Sequence, residues 1–375
     1  MKKILFLAAV VVMAAACGGP AQDDFARATP SFDAVALDIS AGDAVPENFE
    51  ASASGGQSPS AALDAAQAAV DDACHPHLFV RTHAVVAATN GSIWRVLRPI
   101  RRIIPFSPRR RDGGTHVWER VVDGFDYKYS IVKTDDHSFT ATLQVKKVAD
   151  PDTSFVTVYD ASVQRDPSNH DGSGSATLNL DDLASVTGDK SVSGQLTLDF
   201  NVTPAEKKVL VTMTNLKVNS DLPRNGHYVF FKQTGVGGSL KFIDDMTLRC
   251  TGQTPPASGT TPVTAVARWI VASDGVHFRA DAGAVGGQIP AERKWEAVTC
   301  AQGHDPRETY WMIKLEDTSS TPAGATVFAR SAQNTVATAA ACDPVFKAVP
   351  SVDGPDTDYD FASVNFTSDD PLPFP

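Results

Sequence analysis

The chain has 375 residues, of which 42% are hydrophobic and 21% charged, with 44 acidic residues against 33 basic and a formal charge of −11. That balance argues against general nucleic-acid binding, and five cysteines without a Cys-x-x-Cys pair argue against redox-dithiol and zinc-ribbon chemistry. The length suffices for one large β-domain or two smaller ones.

The first residues carry the most specific signal. Met1-Lys2-Lys3 is a positive start, Ile4 to Met13 is an unbroken apolar run, and Ala14-Ala15-Ala16 places small residues directly before Cys17. A run this short reads as a secretory signal, because a membrane span needs roughly 20 residues. The small-residue triplet ending in cysteine resembles the lipobox of bacterial lipoproteins, over residues 1–19 only. The resemblance implies that residues 1–16 are removed as a signal peptide and that Cys17 is lipidated, palmitate included. It also implies a protein held to the cell envelope by its N-terminal lipid. Gly18 after the cysteine favours the outer membrane, on its periplasmic face or the cell surface.

Residues 17–58 are rich in Ala, Ser, Gly, Pro, Asp and Glu and contain one basic residue, Arg27. Such a segment buries too little apolar surface to offset its ordering entropy, so a disordered tether is expected. Residues 59–111 form the expected helical segment. Ala61 to Ala73 reads as one helix, Asn90-Gly91 as a stop and Ser92 as a new N-cap, with a kink at Pro99. Ile93, Val96, Leu97, Ile100, Ile103 and Ile104 share one face, while Arg95, Arg98 and Arg102 lie on the other. Those three arginines are candidates for membrane or partner contact. The competing reading is a lid, its apolar face packed on a sheet and its arginines paired with the protein's own carboxylates.

Residues 112–252 alternate. Phe139, Ala141, Leu143 and Val145 fall on one side, against Ser138, Thr140, Thr142, Gln144 and Lys146 on the other. That period of two marks a strand with one buried and one wet face. Strands are predicted near 116–122, 126–133, 137–148, 154–164, 174–180, 192–202, 207–218, 227–233 and 238–249. Turn signals such as Asp123-Gly124, Gly188-Asp189 and Asn225-Gly226 separate them. Gln253 to Pro262, with three prolines, reads as a loop or domain junction. Strands resume over 264–272, 276–284, 294–301, 309–317 and 325–331, giving residues 253–349 as a β extension or second β subdomain. Residues 350–375 read as an irregular, poorly packed, acidic and Pro-rich tail. The fold class is therefore mainly β: a long antiparallel meander (curved sheet, barrel-like or sandwich) with an N-terminal helical segment packed on it.

Beyond Cys17, the cysteines Cys74, Cys250, Cys300 and Cys342 are disulfide candidates. Three connectivities are open, and chain order favours Cys74–Cys250 with Cys300–Cys342. His75, His77 and His83 are the densest ligand-type cluster, but no carboxylate neighbours them in sequence, so capping and surface roles are expected rather than a metal site. Asp166 to Gly174 resembles a calcium loop only slightly and reads as a polar hairpin. Asp181-Asp182 and Asp244-Asp245 read as solvated sheet edges. No nucleophile elbow or zinc-protease motif occurs, so no catalytic residues and no cofactor are assigned and an enzyme is not expected. The expected role is non-catalytic: an envelope lipoprotein that binds or carries an apolar ligand or an envelope protein, with no nucleic-acid partner. The alternative is a structural or protein-interaction lipoprotein with a closed, packed sheet, and a metal-dependent enzyme is a remote third. An apolar cavity of roughly 300 Å³ or more under the covered face discriminates between the first two.

Overall fold

The computed structural model describes residues 25, 28–39, 74–165, 172–219, 222–248, 250–251, 259–303, 307–319, 325–331, 366 and 368–371. The signal segment, Cys17, the predicted helix at 61–73, Cys342 and residues 166–171 of the polar hairpin lie outside the described residues.

One antiparallel sheet dominates. Its strands follow chain order without a crossover: β1 (Arg110–Asp112), β2 (Thr115–Val122), β3 (Phe125–Lys133), β4 (Ser138–Lys147), β5 (Val156–Arg165), β6 (Gly172–Asn179), β7 (Val192–Val202) and β8 (Glu206–Val218). It continues through β9 (Arg224–Gln233), β10 (Gly237–Met246), β11 (Thr261–Ala272), β12 (Gly275–Val285), β13 (Arg293–Gly303), β14 (Arg307–Asp317) and β15 (Ala325–Ser331). The expected meander is thus observed, and each predicted strand corresponds to an observed one. The Pro-rich stretch does not interrupt it, since β10 and β11 pair from Gly237↔Ile270 to Met246↔Thr261.

Among the described residues three α-helices accompany the sheet: α1 (Phe32–Val35), α2 (Leu78–Ile103) and α3 (Leu180–Thr187). Helix α2 packs on β12 and β13 near its start and on β2 and β3 near its end. It has 26 residues, hence a length of about 39 Å. Strands β2 and β13 are eleven steps apart, about 53 Å across a flat sheet. The sheet therefore bows, and α2 spans the concavity as a chord. Ile93, Val96, Ile100 and Ile103 of α2 share one continuous core with Leu143, Leu196, Phe230, Trp269 and Phe278 of the sheet. Full burial of each such side chain contributes about 1.5–3 kcal/mol. Among the described residues no helix is long and apolar enough to cross a membrane.

Several expectations need correction. Helix α2 is one element through Asn90-Gly91-Ser92 and Pro99. Asn90 does not stop it because the carboxamide is buried and occupied elsewhere: Leu37 N–H donates to Asn90 Oδ1 at 2.8 Å, and Asn90 Nδ2 donates to Leu37 O at 2.7 Å. Ser92 is no N-cap, since its hydroxyl donates back to Ala88 O. The tether expectation fails over the described residues 28–39. There Phe32, Val35, Leu37 and Ile39 are buried in the core, and Asp38 pairs with Lys207 and Lys232. Asp181 and Asp182 do not edge the sheet but begin α3, which Asn179 caps and Gly188 closes in the left-handed conformation. Asp181 Oδ1 accepts the N–H of Gly194 at 2.8 Å, where a bulge at φ +99° leaves Asn215 backbone no room for a Cβ. Asp244 is fully buried.

Cys74 and Cys250 form a disulfide with a Cα–Cα distance of 5.4 Å. Cys300 is also disulfide-bonded. The described fragment near the C-terminus is irregular but not loose: Lys241 Nζ donates to Ser368 O at 2.7 Å and to Asp370 O at 2.9 Å, and His227 pairs with Asp369.

Candidate functional site

At the C-terminal end of α2 the bowed sheet leaves a cleft of about 400 Å³. Three elements wall it. Helix α2 contributes Trp94, Arg95, Arg98, Pro99 and Arg102. The β2–β3 hairpin contributes Val122, Asp123, Phe125 and Tyr127, and α3 with the start of β7 contributes Leu180, Leu183, Ala184, Thr187, Asp189 and Val192.

The local sequence explains each wall. Along α2, Trp94, Arg98 and Arg102 recur every four residues and so stack on one stripe beside the buried face. Asp123 at φ +53° and Gly124 at φ +86° make the tight hairpin turn that presents Asp123 beside Arg102. In α3, Leu180, Leu183 and Ala184 fall at the i, i+3, i+4 spacing that gives one apolar face.

The polar groups form a rim. Arg102 donates to Asp123 at 2.7 Å and Arg95 to Asp189 at 2.5 Å. Arg101 lies over the Trp94 ring, 5.1 Å from its centroid. Burial raises the Tyr127 hydroxyl pKa, as does the Asp123 charge, while Arg98 and Arg102 pull it partly back. Burial would raise Asp189 too, but hydrogen bonds from Ser191 and the Arg95 charge outweigh it and hold the carboxyl low. With three arginines and two carboxylates, the wall carries a net positive charge of one over a floor of Trp94, Val122, Phe125 and Leu183. Both carboxylates are engaged by arginines, so the chemistry on offer is binding: apolar contact below, charge-assisted hydrogen bonding of an anion above.

Arg95, Arg98 and Arg102 thus stand together, on one cleft wall, with Arg95 and Arg102 paired to the protein's own carboxylates. The sequence did not single out Trp94, Phe125, Tyr127 or α3. The signal for α3 was present: Asn179 accepts from Asp182 N–H, and Gly188 terminates the helix.

A second cluster forms at the opposite end of α2. His77 is its N-cap at φ 48°, and the His75 and His77 rings stack at 3.7 Å. The fold brings Glu308 to them from β14: His75 Nε2 lies 2.6 Å and His77 Nδ1 3.5 Å from Glu308 Oε2. The local sequence, which offered no carboxylate, misled here, and His75 is buried rather than on the surface. Burial would raise the Glu308 pKa, but hydrogen bonds from His75 and His77 outweigh it and lower it. His83 instead packs edge-on against Phe79.

No family model matches this chain, and neither the curated proteins nor the solved structures contain a match.

Proposed function

We propose that this chain is a cell-envelope lipoprotein, anchored through Cys17, whose folded body binds or carries an amphipathic anion in the cleft between α2, the β2–β3 hairpin and α3. The observation that carries this reading is the cleft's division into an apolar floor and an arginine rim at about 400 Å³, above the 300 Å³ expected of a ligand site. The ligand chemistry that fits is a single alkyl chain with a carboxylate or phosphate head: Trp94, Phe125 and Leu183 contact the chain, and Arg98 with its neighbours meets the head.

The test uses soluble protein lacking Cys17 and everything before it, titrated with oleate while tryptophan fluorescence is followed. Saturable one-to-one binding is expected, with oleyl alcohol binding more weakly. Arg98→Gln should weaken oleate binding about tenfold, the loss of one charged hydrogen bond, and Leu183→Asp should abolish it. Absence of saturable binding, or binding indifferent to both substitutions, overturns the cleft as the site. The anchor is tested separately. Cys17→Ser should move the full-length protein from the membrane fraction to the soluble one, and unchanged partitioning would sink lipidation there.

A further inference from the structure

We infer that His75, His77 and Glu308 form a binding site for a divalent first-row transition ion, Zn²⁺ being the best fit, distinct from the cleft. The three donors are His75 Nε2, His77 Nδ1 and a Glu308 carboxylate oxygen, and all lie within 4.8 Å of one another. Zinc sits about 2.0–2.2 Å from imidazole nitrogen and carboxylate oxygen, so donors sharing it lie about 3–4 Å apart. Of the separations, His77 to Glu308 at 3.5 Å falls in that range and His75 to Glu308 at 2.6 Å lies just below it. Ligation needs the two stacked imidazoles to turn so that both in-plane lone pairs point at the shared ion.

The surroundings are those of a held site. The His75 ring is sandwiched, with His77 on one face at 3.7 Å and Trp311 stacked at 4.7 Å. Glu308 Oε1 accepts the Phe79 N–H at 3.2 Å, which orients the carboxylate and leaves Oε2 toward the imidazoles. The Cys74–Cys250 disulfide fixes the chain one residue before His75. Side-chain exposures of 8%, 13% and 11% for His75, His77 and Glu308 exclude most water yet leave an approach. Two imidazoles and one carboxylate suit zinc, copper or nickel over calcium or magnesium, which prefer all-oxygen sites. Three protein ligands leave a fourth tetrahedral position for water or an external donor. The ion would clamp the start of α2 to β14, at the far end of the chord from the cleft.

The experiment is calorimetric titration of untagged, EDTA-treated protein with Zn²⁺ at neutral pH, paired with thermal melts. One Zn²⁺ per chain, with a Tm raised by a few degrees, is expected. His75→Ala/Glu308→Gln should lose both effects, whereas His83→Ala should retain both. Lack of one-to-one binding, or binding that survives the double variant, overturns the site. Should the double variant not fold, pulsed electron paramagnetic resonance of the Cu²⁺-loaded native protein decides. Two coupled imidazoles support the site, and one or none overturns it.

Discussion

The two halves of the sheet share one inner face and differ on the outer one. From β3 to β8 burial alternates as a one-sided sheet requires. In β7, Leu196, Leu198 and Phe200 are buried while Gln195, Asp199 and Asn201 are exposed. From β10 to β14 both faces are buried. Phe278, Ala280 and Ala282 of β12 face the core, yet Arg279 and Asp281 between them are only 3% exposed. The outer face there carries a row of buried charge: Lys241, Arg268, Arg279, Asp281, Glu296, Lys314 and Glu316. Beside it Val298, Cys300 and Met312 form a small second core. The first half offers few counterparts, among them Lys146, which lies near Asp126 and over the Phe155 ring. The same meander thus behaves as a one-sided sheet where its back meets water and as a middle layer where its back is covered. Charges tolerated on a wet face become obligatory pairs on a covered one.

The largest expected effect comes from the cross-link that ties α2 to the second half. Cys74–Cys250 closes a loop across a sequence separation of 176, and loop closure of that length contributes about 5 kcal/mol. Cys74→Ser/Cys250→Ser should lower stability by that order in denaturant titration. Because one core runs through both halves, the loss should appear as a single transition. Two separated transitions, with β10–β14 opening first, would break the comparison into two independent domains.

Next comes a direct contrast between a buried pair on the covered back and an exposed pair at the rim of the cleft. Arg279 Nε donates to Asp281 Oδ2 at 2.9 Å and Nη2 to Oδ1 at 2.8 Å, a bidentate pair with both partners buried. Arg279→Met strands a buried carboxylate and should cost about 3–5 kcal/mol, while Arg279→Met/Asp281→Leu should recover most of it. Arg102→Gln, which breaks the exposed pair with Asp123, should cost about 0–1 kcal/mol. Comparable losses at the two sites would mean that the back of β12 is wetter than its burial indicates.

What was legible in the sequence follows the same division. Inward residues such as Leu143, Leu198 and Phe278 announced themselves by period, because an apolar residue at every second position has one sheet-compatible explanation. The outward Arg279, Asp281, Glu296 and Lys314 carry the same alternating polar pattern as a wet face, and nothing local says that they are covered. Continuity of α2 through Asn90 was equally hidden, since it depends on Leu37, 53 residues away. The cleft was half legible. Its arginine stripe was visible, but the hairpin and α3 that complete it come from other parts of the chain. Glu308 likewise reaches the histidines only through the fold.

An effect that appears only as a pH dependence concerns Asp244, a charge on the inner face at the join between the halves. It is fully buried, accepts from Tyr228 Oη at 2.9 Å and lies 3.3 Å from Arg224 Nη1. Burial raises its pKa to about 6 from 3.8, outweighing the opposing pull of Arg224 and of the Tyr228 hydrogen bond. The folded state therefore holds this proton up to about pH 6, whereas the unfolded chain releases it near 3.8. Between those values the folded state binds more protons, so this group's contribution to stability falls as pH rises through the window and is level above it. The change amounts to about 2–3 kcal/mol. Asp244→Asn keeps an acceptor for Tyr228 and cannot ionise, so its stability relative to the native chain should rise by that amount between pH 4 and pH 7. Other carboxylates titrate in both proteins and cancel in the difference. A difference that stays flat with pH would mean that Arg224 holds Asp244 ionised throughout. The inner face would then carry a true buried ion pair, like those on the back of the second half.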